Sequence, residues 1–165
     1  MTRGLGPGRT LPSAAGPRTI DAAMARVMGI DVGSRTLGVA VSDEGGTVAF
    51  PVTVVRRVGL RRDIAALVEL ARGRDADTFV IGMPFELDGR DGPLAAEARV
   101  VGRKLEEEGF HVAFHDERMS TVAAERALLE ADMSRRRRRR VIDKVAAALI
   151  LQAWLDARLR GGGRP

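Results

Sequence analysis

The sequence predicts an α/β fold: a mixed five-stranded sheet of three antiparallel strands followed by βα crossovers, flanked by helices. Three β-branched apolar runs follow one another between residues 27 and 55 with no room for a helix between them. Two later apolar runs, Thr78 to Ile81 and Phe110 to Phe114, are separated from their neighbours by segments of helical period. A length of 165 residues, 45% of them hydrophobic and 30% charged, is one domain's worth and long enough to bury a core.

Met1 to Ala23 are rich in Gly, Pro and Thr and carry no apolar period, so they are expected to form a disordered N-terminal extension. Met24 opens the globular sequence, a domain expected over 24–160, and is itself a candidate start. Val27 to Ile30 is a short strand ending at Asp31. Leu37 to Val41 and Val48 to Val55 continue an antiparallel meander, each bounded by Gly or polar turns. Ile64, Leu67, Val68 and Ala71 recur at helical spacing. Thr78 to Ile81 is a buried strand stopped by Gly82-Met83-Pro84. A helix follows from about Pro93 to Glu108, with Pro in its first turn and Gly109 past its end. Phe110 to Phe114 is the fifth strand, and Thr121 to Leu129 is a helix capped by Ser120. A last helix spans about Arg140 to Leu159, and Gly161 to Pro165 form a flexible end. Right-handed crossovers after the meander give the mixed sheet.

Composition removes several function classes. There is no cysteine, hence no disulfide framework and no thiolate metal site. No apolar run approaches the roughly 20 residues of a bilayer span, and the N-terminus lacks the apolar core of a secretory signal. A cytosolic protein with no membrane partner is expected. The net charge of +5 favours a polyanionic partner. Only Lys104 and Lys144 are lysine, however, and so strong an arginine bias also fits codon preference.

Three carboxylates stand out. Asp31 ends a nearly all-apolar strand, where an unpaired charge costs several kcal/mol; it is either a turn cap or a functional group. Asp143 shares a helical line with Ala147, Ile150 and Trp154, beside a core stripe of Ile142, Val145, Ala146, Leu149 and Ala153. An ion pair with the preceding arginines, or a place in the helix's first turn, also accounts for it. Glu117 follows the fifth strand, and sites on open α/β sheets gather beyond the carboxyl ends of strands. Three carboxylates from two strand ends and a helix can meet at one point. Such hard oxygen donors hold Mg²⁺ or Mn²⁺, and two such ions about 4 Å apart serve phosphodiester cleavage.

Four blocks then carry a family resemblance. Gly29-Ile30-Asp31-Val32-Gly33-Ser34-Arg35-Thr36-Leu37-Gly38-Val39-Ala40-Val41-Ser42-Asp43 resembles the opening hairpin of the YqgF (RuvX) family of Holliday-junction-resolvase-like and pre-16S rRNA nucleases. Gly82-Met83-Pro84 with Asp88-Gly89 is similar to its Gly-Leu-Pro segment, and Asp116-Glu117-Arg118-Met119-Ser120-Thr121 to its Asp-Glu-Arg block. Val141-Ile142-Asp143, with Ala146, Ala147 and Ile150-Leu151, resembles its last-helix signature. The blocks lie in the family's order over about Ala25 to Asp156. The resemblance implies a ribonuclease-H-like fold, a catalytic and metal-binding triad at Asp31, Glu117 and Asp143, and maturation of the 5′ end of 16S rRNA in ribosome biogenesis. RNA is then favoured over DNA, with the pre-ribosomal small subunit as a partner and a resolvase of branched DNA as the alternative. The chain departs from the pattern in its N-terminal extension, and in six consecutive arginines where the family often has Lys before the last-helix Asp.

Those six, Arg135, Arg136, Arg137, Arg138, Arg139 and Arg140, are either phosphate-positioning groups or a solvated loop. Arg35 and Arg118 sit beside triad members, to stabilise phosphate charge or to pair with Asp43 and Asp116. His111 and His115 lie about 13 Å apart at ~3.3 Å per residue and cannot share a metal. Glu86, Asp88 and Asp91 follow a strand end, but Asp88-Gly89 is turn chemistry. Aromatics are scarce, so no stacking platform is evident. A sugar kinase of the actin-like superfamily would need a second domain and phosphate loop. A non-catalytic nucleic-acid-binding module leaves the three carboxylates unexplained. The pattern shows no obvious dimer face and leaves monomer and homodimer open.

Overall fold

The computed structural model describes residues 25–119 and 135–161. Its elements are β1 (Arg26–Val32), β2 (Thr36–Ser42), β3 (Ala49–Arg56), α1 (Leu60–Arg72), β4 (Ala76–Met83), α2 (Pro93–Glu107), β5 (His111–Asp116), a 3₁₀ turn (Glu117–Met119) and α3 (Arg135–Gly161). The strands form one sheet in the order β3-β2-β1-β4-β5. β1 pairs antiparallel with β2 and β2 with β3, whereas β4 runs parallel to both β1 and β5. This is the mixed sheet expected from the run of strands and the later crossovers.

Alternation along the central strands builds two cores. Met28, Ile30 and Val32 of β1, Leu37 and Val39 of β2, and Phe79, Ile81 and Met83 of β4 pack with Ile64, Leu67, Val68 and Ala71 of α1 and Ala95, Ala98, Val101 and Leu105 of α2. On the opposite face Val27, Ala40 and Val80 meet Ala147, Ile150, Leu151 and Leu155 of α3. Because both faces of β1 and β4 are covered, these strands read as continuous apolar runs. Among the described residues no helix is long and apolar enough to cross a membrane.

Several boundaries differ from the expectation. Asp31 lies within β1, one residue before its end, and pairs with Gly38. β4 does not stop at Gly82, because Gly82 and Met83 still pair with His115 and Asp116; Pro84, with no N–H to donate, ends it. β5 likewise runs to Asp116, which leaves Glu117 in the turn that follows. α3 begins at Arg135, so the arginine block has helical backbone rather than the loop of one expected alternative, and Gly161 closes the helix. The sheet-facing side of α3 is also rotated from the expected stripe. Ile142 and Ala146 are buried as expected, but Val145, Leu149 and Ala153 are only half-buried, while Ala147, Ile150 and Leu151 are sealed against the sheet. Asp143 heads that sealed line. The expected N-terminal extension, the Ser120 cap with its helix Thr121 to Leu129, and 162–165 lie outside the described residues.

An ion network around the buried Asp63 anchors the β1–β2 turn. Arg57 donates through Nε to Asp63 Oδ2 (3.3 Å) and through Nη1 to the Gly33 carbonyl (3.0 Å), and it also bonds Glu97 of α2. Its backbone N–H donates to the Arg35 carbonyl at 2.9 Å. Asp63 is 1% exposed and also accepts the Val58 N–H. The turn next to Asp31 is thereby tied to both helices of the larger core.

Candidate active site

Strand alternation places Gly29 and Asp31 of β1 on the face that α3 covers. Asp31 is 8% exposed, and both it and Glu117 are engaged by other groups of the protein. That engagement is required, since a buried carboxylate without partners would neutralise or destabilise the fold.

A glycine flanks Asp31 on each neighbouring strand. Gly38 of β2 lies directly opposite it. A Cβ added to Gly38 would stand 2.0 Å from the carbonyl oxygen of Asp143 and 2.5 Å from its carbonyl carbon. The backbone of α3 therefore rests on Gly38, and no larger residue fits beneath it. On the other side, one residue beyond the Ile30–Ile81 pair, lies Gly82 of β4. A Cβ there would stand 2.5 Å from Glu117 Oε1 and 2.6 Å from Ile150 Cδ1. At Gly29 the same test meets Leu151 Cβ at 2.7 Å and the Ala147 carbonyl at 2.8 Å. Missing side chains on three adjacent strands thus let α3 and Glu117 down onto the sheet around Asp31.

Of the three carboxylates proposed from the sequence, Glu117 thus lies over Gly82 and the backbone of Asp143 over Gly38, on the strands either side of Asp31. The strand positions beneath Glu117 and Asp143 are about 10 Å apart, at ~4.8 Å per strand spacing. Among the described residues no three His, Asp or Glu side chains stand close enough, as they are oriented, to hold an ion. The donor set is nevertheless all hard oxygen, the kind that Mg²⁺ and Mn²⁺ take. The residues therefore fit a divalent cation in the chemistry of their donors.

Thr36, the first residue of β2, is on the same face as Gly38 and donates its hydroxyl to Asp143 Oδ2 at 2.6 Å. It was not singled out in the sequence, and neither were the gaps at Gly38 and Gly82. A glycine inside an otherwise β-branched strand is a signal of close approach, and that signal was present at Gly38.

The flanking cations are placed differently from one another. Arg118 forms a paired contact with Asp116, Nη2 to Oδ2 at 2.7 Å and Nε to Oδ1 at 3.0 Å, and its guanidinium lies 5.1 Å over the Phe85 ring. Its hydrogen bonds hold the Asp116 carboxyl below the usual carboxylate range. Arg35 is exposed at the tip of the β1–β2 turn. Asp43, a possible partner for it, instead accepts the N–H groups of Thr47 and Val48. The arginines 135–140 form the first turns of α3, eight to three residues before Asp143. His115 pairs with Gly82, and its Nε2 is buried with no hydrogen-bond partner among the described residues. Burial pushes its pKa down, partly offset by Asp116.

Comparison with known proteins agrees with this arrangement. Residues 25–157 match the family model described as RuvX: Holliday junction resolvase. A Moorella thermoacetica protein described as "Putative pre-16S rRNA nuclease" is 52% identical over 132 residues, covering 79% of this chain and 94% of that one. A Myxococcus xanthus protein of the same description is 51% identical over 133 residues, covering 80% and 88%. Among solved structures, RuvC of T. thermophilus in complex with a Holliday junction substrate superposes with a TM-score of 0.52. It is 18% identical and covers 82% of this chain and 96% of that one. That likeness shows the fold, a RuvC-type, ribonuclease-H-like sheet with its helices. The match over most of the domain and the identity to curated relatives show that this chain belongs to the RuvX family.

Proposed function

We propose that the chain is a metal-dependent endonuclease that hydrolyses phosphodiester bonds and processes the 5′ end of pre-16S rRNA. The observation that carries this reading is the seating of Glu117 over Gly82 and of Asp143 over Gly38, on the strands either side of Asp31. A binding module has no need of three carboxylates around one strand end, where they would repel a phosphate backbone.

In this reading the three carboxylates hold Mg²⁺ or Mn²⁺. Two such ions about 4 Å apart are the arrangement that phosphodiester cleavage uses. Bound there, the ions would activate water and stabilise the leaving oxygen of the phosphodiester. Asp31 supplies a central, rigidly mounted oxygen pair from β1. Glu117 reaches over Gly82 from a short turn, and Asp143 comes down from α3. The helical arginines before Asp143 put basic charge on the helix that carries one of these carboxylates, a placement suited to guiding an anionic strand. Arg118, already bonded to Asp116, is better suited to shaping the rim than to following phosphates.

RNA is favoured over DNA because the curated relatives near 50% identity carry the pre-16S rRNA description. The family description favours a second reading, cleavage of a branched DNA junction. An rRNA substrate implies a cytoplasmic location and the pre-ribosomal small subunit as partner. The test offers purified protein and Mn²⁺ a 16S precursor and a four-way DNA junction in parallel. Cleavage of the precursor alone supports the proposal, and cleavage of the junction alone assigns the second reading. No cleavage of either would overturn the nuclease reading.

A further inference from the structure

We propose that Thr36 is a positioning residue of this site: its hydroxyl sets the orientation of the Asp143 carboxylate, so that α3 presents its ligand oxygens in one direction. The inference rests on the reading of Asp143 as a metal ligand and extends it to a residue that reading leaves out.

The contact joins two elements that meet only in the folded state. Thr36 and Asp143 are 107 residues apart in sequence, and Thr36 Oγ1 donates to Asp143 Oδ2 at 2.6 Å in a half-buried setting. A short bond to an ionised oxygen is the stronger kind of hydrogen bond. Two residues along the same face, Gly38 receives the backbone of Asp143 itself. Asp143 is thus seated at two points on β2, its main chain on Gly38 and its carboxylate on Thr36. Gly38 fixes where the residue is, and Thr36 fixes where its oxygens point.

Thr36 is itself tightly held. Its carbonyl accepts the Gly33 N–H at 2.9 Å, and it pairs with Arg56 of β3. Arg57 clamps both the Gly33 carbonyl and the Arg35 carbonyl of the same turn. A β-branched side chain on a strand also has restricted χ1 freedom. The hydroxyl therefore has a fixed direction before any ligand arrives, as a group that orients a metal-binding side chain requires.

A purely structural bond, docking α3 to the sheet, would give the same picture, so the test must separate the two. Thr36→Val keeps the shape and removes the hydroxyl, whereas Thr36→Ser keeps the hydroxyl and removes the methyl. Mn²⁺ binding to each full-length protein is measured by calorimetry, alongside melting of the metal-free forms and cleavage at saturating Mn²⁺. Loss of a group that orients a metal ligand weakens affinity about 10- to 100-fold. Thr36→Val should show that loss with a metal-free melting temperature close to the parent's and a fall in kcat rather than a rise in KM for RNA. Thr36→Ser should recover most of the affinity. Parent-like Mn²⁺ affinity in Thr36→Val would overturn the proposal. So would a serine variant as weak as the valine variant, or a stability loss that accounts for the whole effect. Asp143→Asn is run beside them. If it too binds Mn²⁺ and cuts like the parent, the reading of the site itself fails. If it loses both while Thr36→Val is normal, only the positioning role fails.

Discussion

Replacing Gly38 with alanine should unseat the helix that carries Asp143. The added methyl would lie 2.0 Å from the Asp143 carbonyl oxygen, whereas ordinary contacts begin near 3.4 Å. The backbone of α3 must therefore retreat by roughly 1.4 Å, the difference between those distances. A helix shifts as a rigid unit, so the retreat also loosens Ala147, Ile150 and Leu151, which are fully buried against the sheet. Overpacking of this kind costs about 1–3 kcal/mol. The clash is with main chain rather than a side-chain tip, which places it at the upper end. Stiffening of the unfolded chain by alanine returns only about 0.4–1 kcal/mol. A net loss of about 2 kcal/mol should appear as a lower urea midpoint at an unchanged slope. Displacing a reacting group by about 1 Å costs on the order of 100-fold in rate, so cleavage should fall more than stability explains. Gly82→Ala is the contrasting case. Its methyl would meet side-chain ends rather than backbone, Glu117 Oε1 and the buried Ile150 Cδ1, so stability should fall by about 1 kcal/mol, the lower end of the same range, while cleavage drops. A Gly38→Ala protein as stable and active as the parent would refute the two-point seat of Asp143 on β2.

Arg57→Met should cost about 3–5 kcal/mol, because it strands the fully buried Asp63 without its cation, and chemical denaturation reads it directly. Asp43, whose pKa is held down by the Thr47 and Val48 N–H groups, contributes stability above its unfolded value near 3.9. That contribution is lost as pH falls through the lower folded value, so Asp43→Asn should flatten the acid limb of a stability–pH curve; an unchanged limb contradicts it. If the six arginines 135–140 all contact phosphate, changing them to serine should remove up to about four units of salt slope for single-stranded RNA, at ~0.7 per phosphate. An unchanged slope returns them to a solvated helix face.

The fold was legible because its signals are local. The alternating strands, the stripe Ile64, Leu67, Val68 and Ala71, and the proline and glycine around α2 each constrain a few neighbouring residues. Asp31 and Asp143 were legible as misfits, carboxylates on otherwise apolar elements, and Glu117 by its place beyond a strand end; the structure brings their elements together. What stayed hidden depends on contacts between distant segments. The glycine at position 38 announces a close approach but not by which element, and Gly82 read as a strand end because pairing with β5 cannot be seen locally. Thr36 looked like an ordinary strand residue, since its partner lies across the sheet on a helix. The rotation of α3 was missed for a related reason. Ala147 is small, and the sheet's glycines, rather than the helix's own hydrophobicity, decide which side descends furthest.

The central claim is that the three converging carboxylates make a cation-dependent cutting site. It is tested most directly by cleavage of a 16S precursor after exhaustive EDTA treatment, with Mg²⁺, Mn²⁺ or Ca²⁺ returned in turn. The parent chain and Asp31→Asn, Glu117→Gln and Asp143→Asn are compared at matched folded concentration. The account predicts no cleavage in EDTA, recovery with Mg²⁺ or Mn²⁺ and little with Ca²⁺, whose looser, higher coordination suits in-line displacement poorly. It predicts no recovery in any of the three variants. Full activity in EDTA, or near-normal turnover in a variant given Mn²⁺, would contradict it.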